Sequence, residues 1–245
     1  MAIHERRLLK WEGCPNARDL GGYPTADGRE TQWGRILRSD NPYDLTEAGR
    51  QSLLNSGVGT IIDVRGTGEL AEYPSPFADH PTILYQHIPF VDESQPDTPE
   101  GLSMSDGYLH MLQRDRAGVA AILTAIARAP EGPVLFHCHG GKDRTGLTSA
   151  LILRLAGVPT EVVDQDYALT EELMRDKDRA WVESAPTPKE REQRHRLSVS
   201  YAPKGEVMDA VIRGLEARHG SIENYVRWAG VEPEDMERLR TRLLD

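Results

Sequence analysis

The run His137-Cys138-His139-Gly140-Gly141-Lys142-Asp143-Arg144-Thr145-Gly146 brings a thiol, a guanidinium, a carboxyl and paired glycines together. Five residues separate the cysteine from the arginine, enough for a loop whose successive backbone N–H groups turn inward around an anion. An apolar stretch, Val134-Leu135-Phe136, leads in, and Leu147, Ala150, Leu151 and Leu155 follow at helical spacing. Strand, loop and helix in that order set the positive end of a helix beneath the bound anion. The same field favours the thiolate of Cys138, the form of sulfur that attacks. Arg144 offers a planar fork that can grip two phosphoryl oxygens through an in-line transfer. The implied chemistry is hydrolysis of a phosphate monoester through a phosphocysteine. Asp143 is the leading candidate to protonate the departing oxygen and then to activate water.

Around these three residues, His139, Gly140, Gly141, Lys142, Thr145 and Gly146 are expected to line the phosphate cradle, with His137 and Thr145 assisting through hydrogen bonds. Asp92 and Asp106 precede the cysteine on loops and are alternative acids, Asp92 ahead of Asp106. A metal site built on His137-Cys138-His139 is disfavoured, because neighbours on a strand face opposite ways and no further cluster completes four ligands. No metal and no cofactor are expected. A nucleotide-binding loop fits worse, since Gly141-Lys142 is followed by aspartate and not by serine or threonine. An inert buried cysteine would not call for the glycines or the Lys-Asp-Arg run. Cys14 and Cys138, the two cysteines present, are too few for a disulfide framework. Cys14 reads as a bystander.

Short β-branched or apolar runs predict strands over residues 58–64, 82–88 and 134–138, with another over 35–37. Helical periodicity spans 46–55, 116–129 and 162–174, and Val119, Ile122, Leu123 and Ile126 share one face. Alternating strands and helices predict an α/β fold with a central, mostly parallel sheet flanked by helices. The C-terminal half is helical, closing with segments over 203–219, 222–228 and 233–244. Residues 175–196 are dense in charge and contain Pro186 and Pro188, so they read as a solvated helical face or a helical lid.

A chain of 245 residues, 38% hydrophobic, suits one domain spanning 1–245. Its formal charge of -10 disfavours binding to nucleic acid or to an anionic membrane. A phosphate site must therefore be a local basic pocket in an acidic body. Residues 1–10 carry charge and no apolar stretch, which predicts a cytoplasmic protein without stable membrane insertion. Nothing in the residues sets an oligomeric state.

The loop, taken with Asn16-Ala17-Arg18-Asp19-Leu20-Gly21-Gly22 and Arg38-Ser39-Asp40, resembles the bacterial tyrosine phosphatase family. Thr60-Ile61-Ile62-Asp63-Val64-Arg65 with Glu69, Asp166-Tyr167 and the closing helices extend the resemblance over most of the chain. It implies a cysteine-phosphatase fold and activity on phosphotyrosine, often also on phosphoserine, phosphothreonine or phosphoinositides. It implies no metal, and an aspartate within the loop, here Asp143, as general acid. The expected function is that of a protein-tyrosine or dual-specificity phosphatase acting on phosphorylated protein. A phosphoinositide or inositol-phosphate phosphatase is the alternative, suggested by the extra charge of Lys142. A phosphate-binding module without turnover and a sulfurtransferase are more distant readings.

Other motifs carry two readings each. Residues 16–22 read as a glycine turn with an Arg18–Asp19 ion pair, ahead of a loop bordering the site. Asp63 and Arg65, at the C-terminal end of a strand, either support the phosphate loop or leave Arg65 to bridge to Glu69. Tyr108, Tyr167, Trp181 and Tyr201 line a pocket or belong to the core.

Overall fold

The structure is a computed structural model that describes residues 4–96 and 98–245. Residues 1–3 of the N-terminal stretch considered above lie outside the described residues. The strands are β1 (Arg18–Asp19), β2 (Ile36–Ser39), β3 (Thr60–Asp63), β4 (Leu84–His87) and β5 (Val134–His137). The helices are α1 (Glu47–Asn55), α2 (Thr67–Glu72), α3 (Met104–Arg114), α4 (Arg116–Arg128) and α5 (Asp143–Leu155). They continue with α6 (Thr160–Glu183), α7 (Pro188–Ser200), α8 (Gly205–His219), α9 (Ile222–Ala229) and α10 (Pro233–Leu244).

The sheet runs in the order β1-β2-β5-β3-β4, parallel throughout except for β1. β5 is central, and both of its neighbours stay in register to the last residue. Ser39 stands beside His137 on one side and Asp63 beside it on the other. Three strand ends therefore finish level, and the segments leaving them meet at the carboxyl edge, where open α/β sheets place their ligands.

Alternation along each strand divides the core in two. Ile36, Ile62, Val134 and Phe136 face a large cluster that takes in Val119, Ile122, Leu123 and Ile126 of α4 and Leu147 and Leu151 of α5. Leu37, Ile61 and Leu135 face a smaller cluster with Leu53 of α1, Trp11 and Phe77. Helices thus cover both faces, unequally. α5 is buried along most of its length, because α4, α6, α8, α9 and α10 all pack around it.

The observed strands are shorter than predicted or shifted: 58–64 becomes Thr60–Asp63, 82–88 becomes Leu84–His87, and 35–37 becomes Ile36–Ser39. The segment read as a glycine turn includes a strand, β1, which pairs antiparallel with β2 at Arg18↔Arg38 and Asp19↔Leu37. Two residues in an edge pairing are too short to leave a periodic signal. α2 and α3 lie where the residues predicted no helix, and α3 buries Tyr108, Leu109 and Leu112. α6 passes unbroken through residue 175, and the break comes at Pro186, after which α7 runs to Ser200 with Thr187 as its cap. Among the described residues, no helix is long and apolar enough to cross a membrane.

Candidate active site

β5 delivers Cys138 to the carboxyl edge, and α5 begins at Asp143, so residues 139–142 make the whole turn. Their carbonyls point outward and are taken. The Asn41 N–H donates to His139 O at 2.8 Å. Asn16 Nδ2 donates to the carbonyls of Gly140 and Gly141 at 2.9 and 3.1 Å, and Arg38 Nη2 donates to Gly141 O at 2.7 Å. Among the described residues, nothing accepts from the N–H groups of residues 139–145. Unpaired backbone donors are costly unless solvent or a ligand meets them, and a row of them beside a helix start is built for an anion. Gly141 makes the turn possible: its φ is +65°, and a Cβ there would stand 2.5 Å from Ser39 O. Cys138, which enters the loop from β5, is buried, 1% exposed.

Behind the loop sits a buried charge network. Asp166 of α6 pairs with Arg18 at 2.9 Å and with Arg38 at 2.6 Å, and accepts from the Tyr23 hydroxyl at 2.8 Å. Arg18 also holds Asn16 Oδ1 at 2.6 Å. Asp166 thereby orients the two side chains, Arg38 and Asn16, that grip the loop carbonyls. Burial by itself would raise the Asp166 carboxyl, but the guanidinium groups of Arg18 and Arg38 outweigh it and hold it well below the ordinary carboxylate range. Burial, together with Arg18 alongside, brings Arg38 down to about 10.

Two outcomes follow from this arrangement. Asp166→Ala leaves two buried cations facing each other, and chemical denaturation should show a loss of about 3–5 kcal/mol. Because the folded carboxyl is depressed, its contribution is present above the ordinary carboxylate pKa of about 3.9 and disappears as pH falls toward the folded value. The melting temperature of the wild type should therefore drop on acidification through that window, and the drop should be shallower in Asp166→Asn.

Three side chains stand at the lip. Arg144 pairs bidentately with Glu69 of α2, Nη1 to Oε2 and Nη2 to Oε1. Asp143 Oδ1 accepts from the Tyr108 hydroxyl, and Lys142 Nζ is 3.6 Å from the same oxygen while donating to Tyr201 O at 2.9 Å. Lys142, Asp143 and Arg144, with His139 and Gly140, border a cavity of about 1270 Å³. Its far walls mix Met104 and Met111 of α3, Met174 and Trp181 of α6 and Leu197 and Val199 of α7 with charged groups such as Arg175 and Asp178.

The remaining predicted residues divide. The Thr145 hydroxyl is buried and makes no hydrogen bond among the described residues, and Gly146 lets α6 approach so closely that a Cβ would stand 2.9 Å from the Tyr167 ring. His137 is buried, with Nδ1 3.1 Å from Cys138 O; burial lowers its pKa and favours the neutral ring. Arg65 does not reach Glu69. Its fork closes on Asp63, at 2.9 Å from Nε to Oδ1 and 2.6 Å from Nη2 to Oδ2; Asp63 Oδ2 also lies 3.8 Å from Nε2 of His137, which leads into the loop, and among the described residues neither side chain bonds to residues 139–146. Arg18 likewise pairs with Asp166 and not with Asp19, which instead accepts from the N–H groups of Gly21 and Gly34. Asp92 caps its own turn through Ser94, and Asp106 bonds to Ser103 at the start of α3; neither borders the cavity. Tyr108, Trp181 and Tyr201 border it, whereas Tyr167 lies in the core. Residue reasoning missed the bracing roles of Asn16, Arg38 and Asp166. An arginine inside the apolar strand Ile36-Leu37-Arg38 and an aspartate on the buried face of a helix were the available signals, since buried charges must find partners.

A model of the tyrosine phosphatase family matches residues 9–245. The chain is 28% identical over 226 residues to a tyrosine-protein phosphatase of Nostoc commune, covering 85% of this chain and 74% of the relative. It is 25% identical over 273 residues to the triple specificity protein phosphatase PtpB of Mycobacterium tuberculosis, covering 95% and 97%.

Proposed function

The chain belongs to the tyrosine phosphatase family, and from that premise we propose Cys138 as its nucleophile, Arg144 as its phosphoryl-binding residue and Asp143 as its general acid. The observation that carries this reading is the row of N–H groups, unpartnered among the described residues, in the turn that follows the buried Cys138, with the Arg144 fork and the Asp143 carboxyl at the lip. A phosphoryl dianion seated there meets backbone donors from residues 139–145 and the start of α5. Cys138 Sγ attacks phosphorus, the S–P bond forming as the P–O bond to the leaving group breaks in line. The departing oxygen takes the electron pair and a proton from Asp143. Water then attacks the phosphocysteine and gives a proton to Asp143; the S–P bond breaks, and thiolate and inorganic phosphate are restored.

Phosphorylated protein, with phosphotyrosine foremost, is the substrate class. The inositol-phosphate reading draws support from Lys142 at the border of a cavity far roomier than one phenyl ring. The test is a panel run with chelator present, comparing kcat/KM on phosphotyrosine peptides, phosphoserine peptides and phosphoinositides. The largest value is expected for phosphotyrosine; phosphoinositide turnover above it would transfer the assignment. Tight peptide binding with no phosphate released from any substrate would overturn the catalytic reading.

Asp143→Asn should lower kcat/KM for phenyl phosphate by about 10²–10⁴. The loss on nitrophenyl phosphate should be far smaller, since nitrophenolate leaves without much help. Finding that pattern in Asp92→Asn instead would move the acid to Asp92.

A further inference from the structure

Asp143 heads α5 with its side chain 41% exposed, and nothing in its own helix fixes its rotamer. The constraint comes from α3. Tyr108 is 5% exposed and anchored beside Leu109 and Leu112 in the core, and its hydroxyl donates to Asp143 Oδ1. The same phenol oxygen lies 2.8 Å from the Tyr167 hydroxyl, which α6 holds against Gly146 of α5. A phenol has one proton. With the Tyr108 proton committed to Asp143, the 2.8 Å contact can be made only by the Tyr167 proton, which also faces Met104 Sδ, a weaker acceptor at 3.7 Å. Burial and the neighbouring Asp143 push the Tyr108 phenol well above its usual range, so it stays a donor at neutral pH. Lys142 faces Oδ1 as well, whereas Oδ2 of Asp143 makes no hydrogen bond among the described residues.

We infer that Tyr108 is a positioning residue that pins the Asp143 carboxyl by Oδ1 and leaves Oδ2 to carry the proton delivered to the leaving group. The inference rests on the reading of Asp143 as general acid. A carboxyl at a helix start has several open rotamers, and one buried donor that selects among them supplies orientation before the substrate arrives. Tyr167 backs that donor.

Tyr108→Phe keeps the ring and its packing and removes only the hydroxyl. The expected result is a fall in kcat/KM of about 10- to 100-fold on phenyl phosphate and of less than about threefold on nitrophenyl phosphate. The ratio of the two values in one preparation is unaffected by any fraction of unfolded protein. In the Asp143→Asn background, adding Tyr108→Phe should change that ratio by less than about twofold, because a residue that acts through Asp143 has nothing left to position. Equal losses on both substrates, or a second full loss in the double variant, would overturn the role of Tyr108 while leaving Asp143 as the acid. A normal ratio in Asp143→Asn itself would sink the general-acid reading, and the inference with it.

Discussion

Cys138→Ser should abolish turnover of a phosphotyrosine peptide, with kcat reduced by at least about 10⁵, the scale seen when an enzyme loses its nucleophile. A serine hydroxyl is far too weak an acid to ionise at neutral pH, and no general base stands ready to take its proton: His137 bonds to the Cys138 carbonyl, and in the proposed mechanism Asp143 enters this step already carrying the proton meant for the leaving group. Binding should survive. The loop carbonyls remain tied by Asn16, Arg38 and Asn41, so the N–H row keeps its shape, and the Arg144 fork is untouched. Calorimetry with the phosphopeptide should give a Kd within a few-fold of the wild-type KM, while phosphate release falls to background. Full activity in this variant would end the assignment of Cys138.

Arg144→Lys should cost about 10³ in kcat/KM, the lower end of what a transition-state arginine supplies to phosphoryl transfer. Charge is conserved in this substitution, so the loss isolates geometry. An ammonium offers donors from one point, whereas the guanidinium presents them in a plane that can meet equatorial oxygens in pairs. Arg144 already shows bidentate use of its fork on Glu69. Both partners of that pair are partly exposed, at 18% and 32%, so the thermal midpoint should hardly move. A variant that melts like the wild type yet fails on substrate would separate catalysis from folding; one with near-normal kcat/KM would remove Arg144 from the mechanism.

The loop was legible because its chemistry is local. Cysteine, glycines, aspartate and arginine stand within one run of chain, and an apolar strand before and an apolar helix after leave one way to fold it. The parallel sheet was legible for a similar reason, as short β-branched runs alternated with helical periods. What surrounds the loop was not. Asp166 lies 148 residues from Arg18 and 128 from Arg38, and each has chemically plausible partners much nearer in the chain. Arg65 and Glu69 looked like a pair four residues apart; in the folded chain Asp63 captures the arginine and Arg144 captures the glutamate.

Residue type and near spacing determine which groups can react and in what order they leave a strand and enter a helix, since both depend on covalent neighbours. Tertiary structure alone decided which cation each buried carboxylate neutralises, which donors hold the loop carbonyls outward, and that a tyrosine from α3 meets the aspartate heading α5. Those choices come from the competition among buried charges and donors for a limited set of partners, and that competition begins only once sheet and helices have packed.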